Sequence, residues 1–364
     1  MAGGTTQGGA PGARDPKVPS LEFPSADNEA KPQKCLVFFI PGNPGLVGYY
    51  EAFLGTLREL LDGAERRTAS RFSFHIYAQN LLGFDAGDHD PFGNPPHSRP
   101  PFTLEEQVCH FYDRLLERST IPLSGGGTRP AYDKVIIMGH SVGAYISIEV
   151  FHRHHLELKA AMERQDLTNN TQTPAASVSL KAGIMLFPAV SHLAKSTSGQ
   201  KLEMIRTTPF LDSYAHYIAK LFIDLWPYLM LVVFIRLVMG FPAHVAGTTA
   251  RFLKSRDGIW QAIHLAKDEL KHITEEKWSE DLWEIADVDG SEGAADKFFF
   301  YFGEKDHWVA DECRNEFIER RKGHAKGRTT VVVDEDKIPH AFCIHHSEQV
   351  AEKVMVWVDE IAKT

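Results

Sequence analysis

The chain has 364 residues, 43% of them hydrophobic and 24% charged, with a formal net charge of −9. That length admits one large domain or one domain with a sizeable insertion, and the composition is that of a globular protein. No basic excess exists to displace counterions from a polyanion, which argues against nucleic acid as a partner.

The N-terminal residues 1–33 are rich in Gly, Pro, Thr and Ala and read as a disordered tail. They hold no apolar core of a secretory signal, and Ala2 replaces the glycine that myristoylation needs. Without a signal, the sequon at Asn169-Asn170-Thr171 is expected to be unused. Cys35, Cys109, Cys313 and Cys343 are far apart and form no CxxC pair, as expected of free thiols in a reducing compartment.

Short apolar runs then alternate with segments of helical period. The runs are CLVFFI (35–40), SFHIYAQ (73–79), KVIIMG (134–139), KAGIMLF (181–187), KFFFYFG (297–303) and RTTVVVD (328–334). They are β-branched or aromatic and end in Gly, Pro or charge, as buried strands do. Amphipathic stretches at 46–62, 103–119 and 347–362 place apolar residues three and four apart. The alternation predicts an α/β fold with a mostly parallel sheet flanked by helices. Loops at 85–102 and 122–133, rich in Pro and Gly, belong at the surface.

The alternation breaks once, between two late strands. Residues 191–294 show no convincing strand and read as a helical cap, dividing the core into 34–190 and 295–364. Inside the cap, LFIDLWPYLMLVVFIRLVM (221–239) is the most apolar stretch of the chain, with Pro227 expected to kink or restart a helix. Its unbroken apolar part, 225–235, is too short to span a bilayer. Two readings stand. The segment is a buried cap helix, or it dips into one lipid leaflet with Phe222, Trp226, Tyr228 and Phe234 near the interface.

The chemistry-bearing motif is Gly139-His140-Ser141-Val142-Gly143, at the end of a strand run and before a good helix. This is the context of a G-x-S-x-G nucleophile elbow. A serine hydroxyl is a weak nucleophile and needs a base, itself oriented by a carboxylate. In the chain order Ser, acid, His, the acid should follow a late strand. Asp306 stands there, with Glu304 as competitor. The base should lie after the last strand and before the final helix, where His340 comes first and His345 and His346 abut the helix. For the oxyanion, the backbone N–H of Val142 is one donor. The loop IPGNPG supplies the other, the Asn43 amide, because Pro44 has no N–H. That loop also reads simply as a tight turn. Such a site works without metal or organic cofactor. An epoxide hydrolase or haloalkane dehalogenase would want aspartate where Ser141 stands.

Five stretches carry a resemblance to a known family: FFIPGNPGLVGYYEAF (38–53), GHSVGAY (139–145), LFPAVSHLAKSTSGQKL (186–202), YFGEKDHWV (301–309) and KIPHAFCIHHSEQVA (337–351). In these the chain resembles the lipid droplet-associated serine hydrolases of the α/β-hydrolase superfamily. The resemblance implies an esterase of neutral lipid, cholesteryl ester or acylglycerol, on lipid droplets and the cytosolic face of the endoplasmic reticulum. It implies Ser141 as nucleophile, Asp306 as acid and His340 as base, and makes 221–239 the lipid-contacting segment. Two rivals remain at this stage: acyl transfer through the same serine, and a droplet surface protein with little catalysis.

Overall fold

The computed structural model describes residues 18–26, 33–67, 72–93, 98–124, 127–168, 178–278, 282, 297–322 and 329–363. A seven-stranded sheet forms the centre: β1 (Ser20–Phe23), β2 (Gln33–Ile40), β3 (Phe72–Gln79), β6 (Lys134–His140), β7 (Leu180–Leu186), β8 (Lys297–Phe302) and β9 (Thr329–Val333), in spatial order β1-β3-β2-β6-β7-β8-β9. Every pairing is parallel except β1 with β3. The six strand runs found in the sequence are β2, β3 and β6–β9.

The strands sort their side chains by alternation. Along β2, Leu36, Phe38 and Ile40 pack toward one helix layer, and Cys35, Val37 and Phe39 toward the other. The first layer is made by α2 (Leu104–Ser119) and α3 (Val142–Thr168). The second is made by α1 (Glu51–Arg67) and the C-terminal helix α10 (Ser347–Lys363). Both faces of the sheet are therefore covered, which is why the strands read as continuous apolar runs. Helix α2 starts at a full capping box, in which Thr103 and Glu106 satisfy one another's backbone N–H groups.

The residues between β7 and β8 that the structure describes are helical. After a short 3₁₀ turn come α4 (Thr197–Thr207), α5 (Pro209–Asp224), α6 (Tyr228–Val238), α7 (Ala243–Lys254) and α8 (Gly258–His272). Helix α9 (Asp311–Lys322) then links β8 to β9. Helix α8 fastens the cap to the core. The buried Gln261 amide accepts from the Phe102 N–H at 2.8 Å and donates to its carbonyl at 2.9 Å, and Asp268 accepts from the Leu104 N–H at 2.8 Å.

One expectation needs correction. Ser20–Phe23, placed in a disordered tail, form β1 and extend the sheet edge, with Leu21 opposite Ala78. The loop at 122–133 is largely exposed where it is described, as expected, and carries part of a two-stranded hairpin, β4 (Thr120–Pro122) with β5 (Thr128–Pro130). These three strands have three or four residues each, and their partners supply the hydrogen bonds that their own sequence does not announce. Residues 1–17 and 27–32 of the tail, the sequon at 169–171, and residues 279–281 and 283–294 of the cap lie outside the described residues.

Candidate active site

Strand order places the site. β2 is flanked by β3 on one side and β6 on the other, so the chain leaves β2 in both directions and opens a crevice at the C-terminal ends of β2 and β6. The register pairs Ile40 with Gly139. Asn43 follows Ile40 by three residues and Ser141 follows Gly139 by two, so the loop and the serine face the same crevice.

Ser141 sits between β6 and α3 with φ 55°, in the left-handed region that a side chain rarely adopts. Its backbone is held at both ends: the N–H donates to the Leu186 carbonyl at 3.0 Å, and the C=O accepts from Ala144 (3.0 Å) and Ala189 (3.3 Å). The flanking glycines are dictated by contact. A Cβ on Gly139 would lie 2.2 Å from the Gly143 carbonyl oxygen, and one on Gly143 would lie 2.3 Å from that of Ile40. The elbow is thus a point where strand and helix backbones nearly touch, and no larger residue fits there.

Asp306 follows β8 and His340 follows β9. His340 Nδ1 is 2.6 Å from Asp306 Oδ2, and His340 Nε2 is 2.9 Å from Ser141 Oγ. A carboxylate only accepts, so Nδ1 carries the hydrogen and Nε2 presents its lone pair to the serine hydroxyl. Asp306 and His340 are buried, while Ser141 is partly open. The second Asp306 oxygen accepts the Trp308 N–H at 2.8 Å. Burial alone would raise the Asp306 carboxyl, but the charge and hydrogen bond of His340 and the Trp308 N–H outweigh it and hold its pKa below the ordinary value.

The competitors are elsewhere. The backbone carbonyl of Glu304 accepts from Arg314 at 2.7 Å, His345 is exposed, and His346 pairs with Gln349 at 2.6 Å.

Gly42 packs directly on the serine: a Cβ there would lie 2.9 Å from Ser141 Cβ and 2.9 Å from His140 Nδ1. Asn43 is the next residue of that loop, and Val142 follows Ser141 as the first residue of α3. The Asn43 side chain was not foreseen. Its Nδ2 donates to the Ala262 carbonyl at 3.0 Å and to Glu269 Oε1 at 3.1 Å, tying this loop to α8. Nor did the sequence single out Tyr50, whose hydroxyl lies 2.7 Å from His140 Nδ1. Pairings 90 and 226 residues apart leave no local pattern to find.

A cavity of about 580 Å³ lies between the start of the cap and the turn that carries Asp306, lined by Lys195, Thr197, Gln200, His307 and Asp311 among others. Ser141 is not in its lining, and its charged and hydroxyl walls are unsuited to an acyl chain.

The four aromatics assigned to lipid contact lie on the outer side of the cap. Phe222, Trp226, Tyr228 and Phe234 are exposed, together with Leu221, Leu225, Leu229, Met230, Val233, Leu237 and Val238. Leu231 and Ile235 alone in α6 are buried, against Ala246 and Ala250 of α7. Pro227 restarts the helix, so α5 and α6 meet at 98°. Among the described residues no single helix is long and apolar enough to cross a membrane, although the bent pair passes by length and composition together.

A family model described as lipid-droplet associated hydrolase matches residues 33–343. The lipid droplet-associated hydrolase of Drosophila melanogaster is 23% identical over 329 residues, covering 88% of this chain and 87% of the relative. That of Mus musculus is 24% identical over 336 residues, covering 90% and 85%. Among solved structures, one described as "Crystal structure of DBJA (mutant dbja delta)" aligns with a TM-score of 0.50 at 12% identity, over 95% of this chain and 96% of that one. At that identity the likeness concerns the fold, which is the α/β-hydrolase fold expected from the sequence.

Proposed function

The chain belongs to the lipid-droplet associated hydrolase family, and on that premise we propose that it is a serine carboxylic ester hydrolase of neutral lipids, of the cholesteryl ester or acylglycerol class, working at a droplet surface and the cytosolic face of the endoplasmic reticulum. The observation that carries the reading is the continuous hydrogen-bond chain Asp306–His340–Ser141, with 2.6 and 2.9 Å links, at the end of a strained elbow.

In this mechanism Ser141 Oγ attacks the ester carbonyl while its proton passes to His340 Nε2. Asp306 keeps Nδ1 protonated and stabilises the imidazolium that forms. The Asn43 and Val142 amides donate to the tetrahedral oxyanion, and loss of one such donor typically costs ~10² to 10³ in rate. His340 returns its proton to the leaving alkoxide, releasing the alcohol and leaving Ser141 acylated. Water then attacks the acyl-enzyme, with His340 taking its proton, and the carboxylic acid leaves as Ser141 is restored. The exposed face of α5 and α6 supports a lipid surface as the place of work, since an apolar patch of this extent is uncommon on a free monomer.

The test is hydrolysis of a chain-length series of aryl, cholesteryl and acylglycerol esters on a lipid surface, wild type beside Ser141→Ala. Serine-dependent turnover that rises with chain length supports the reading. A folded wild type that releases no acid from any ester, or transfers acyl groups only to added alcohols, would sink it.

A further inference from the structure

The histidine inside the elbow takes no part in the proton transfer described above, yet it is almost wholly enclosed. His140 is 4% exposed, and both ring nitrogens are engaged: Nδ1 with the Tyr50 hydroxyl at 2.7 Å, Nε2 with the His340 backbone carbonyl at 2.9 Å. A carbonyl only accepts, so Nε2 carries the hydrogen. Burial, and then the neighbouring His340, lower the pKa of the ring to about 3, so it is neutral near pH 7 and Nδ1 is a bare acceptor. The Tyr50 O–H must therefore donate to Nδ1. Its oxygen in turn accepts the Gly42 N–H at 3.0 Å. Burial raises the phenol well above its ordinary pKa, so Tyr50 keeps the proton that this assignment needs.

Every direction in the relay is thus fixed: Gly42 N–H to Tyr50, Tyr50 O–H to His140, His140 Nε2–H to the His340 carbonyl. One end is the residue immediately before Asn43. The other is the backbone of the residue whose imidazole meets Ser141. The middle adjoins the serine: His140 precedes Ser141 in the chain, and a Cβ on Gly42 would lie 2.9 Å from both His140 Nδ1 and Ser141 Cβ.

Resting on the serine-hydrolase reading, we propose that Tyr50 and His140 are positioning residues, whose relay sets the oxyanion loop and the His340 backbone at one fixed separation across Ser141. Neither touches substrate. They couple the two halves of the reaction, charge stabilisation and proton transfer, so that a shift in one loop is resisted by the other. Such an effect is realised in the transition state and leaves ground-state binding alone.

The experiment uses the full chain carrying Tyr50→Phe, His140→Gln or His140→Phe. Two readouts are taken: the second-order rate at which a fluorophosphonate modifies Ser141, and kcat and KM on a short aryl ester. The phosphonyl adduct places an oxygen in the oxyanion site, so its rate reports the positioned serine whether or not lipid esters are the substrate. Tyr50→Phe removes one oxygen atom and is expected to slow phosphonylation and kcat about tenfold or more, with KM within about twofold of wild type. His140→Gln keeps an acceptor and a donor side by side and should recover part of the rate that His140→Phe loses. Tyr50→Phe with a wild-type phosphonylation rate would overturn the proposal, as would equal losses in folded His140→Gln and His140→Phe. If the His140 variants do not fold, Tyr50→Phe decides alone. Brisk phosphonylation of the wild type without ester turnover would instead count against the proposed substrate class, leaving the relay to be judged by the probe.

Discussion

The amide of Asn43, in the loop that faces Ser141, is bonded to the carboxyl of Glu269 in the cap, Nδ2 to Oε1 at 3.1 Å. Glu269 is buried, and burial, opposed by the Asn43 bond and aided by Asp268, raises its pKa from 4.5 to about 8. The loop proposed to hold the oxyanion thus leans on a carboxyl that is uncharged at neutral pH.

That gives a signed pH dependence. The folded state binds this proton up to about pH 8, while the unfolded state releases it near 4.5, so stability from this group is fully present below about 4.5 and drains away up to about 8. Each pH unit inside that window is worth up to about 1.4 kcal/mol. Glu269→Gln keeps the acceptor for Asn43 and cannot ionise. Thermal melts should show no gain for this variant near pH 4.5, a gain that grows to about pH 8, and a constant gain beyond it. A gain independent of pH would contradict the assignment.

Asp306 and Glu304 are two residues apart, and only Asp306 meets His340. Asp306→Asn should lower kcat by ~10³ to 10⁴, because the amide no longer fixes the tautomer that presents Nε2 to the serine. Glu304→Gln should stay within about twofold of wild type. Steady-state kinetics of the two variants on one ester distinguishes the pair, and the reverse order would assign the acid to Glu304.

Two glycines should respond oppositely to alanine. Gly143→Ala puts a Cβ 2.3 Å from a backbone oxygen that cannot move aside, and should cost well over ~3 kcal/mol or abolish folding. Gly55 lies within α1 with nothing within 4 Å of its would-be Cβ. Gly55→Ala should stabilise by about 0.5–1 kcal/mol. Urea melts of both variants read the contrast.

Leu225, Leu229 and Leu237 are 73%, 74% and 75% exposed. Replacing any one by aspartate removes ~1.5–3 kcal/mol of apolar burial in lipid, before the cost of inserting a charge. Flotation with neutral-lipid emulsions should show at least tenfold weaker partitioning, while turnover of a short soluble ester is unchanged. Equal partitioning of wild type and a variant with all three leucines replaced by aspartate would remove α5 and α6 from the lipid-binding account.

What could be read from the chain is what is encoded locally. The elbow announces itself because strand end, glycine, serine, glycine and helix are contiguous, and the contacts of Gly139 and Gly143 explain why that string has so few alternatives. Chain order picked out Asp306 and His340, since each follows an apolar strand run, and the structure brings both into one hydrogen-bonded chain with Ser141. The apolar stretch was legible, but whether it is sheltered was not: that depends on α7 covering only Leu231 and Ile235. Strand β1 was missed because its four residues are half exposed and its pairing partner begins at Phe72. The Glu269 carboxyl, an ordinary member of an amphipathic helix in sequence, becomes a buried group only when α8 closes on Asn43.

The 98° bend between α5 and α6 bears on topology. An oil body is wrapped in a single phospholipid layer, with water on one side only, so a straight segment passing through would have to leave polar chain in oil. A bent pair whose chain continues into α7, packed beneath α6, would leave both of its ends on the protein side. On the proposed lipid-surface reading, such a segment would enter a single lipid layer from the water side and return to it, with no loop dragged through hydrocarbon.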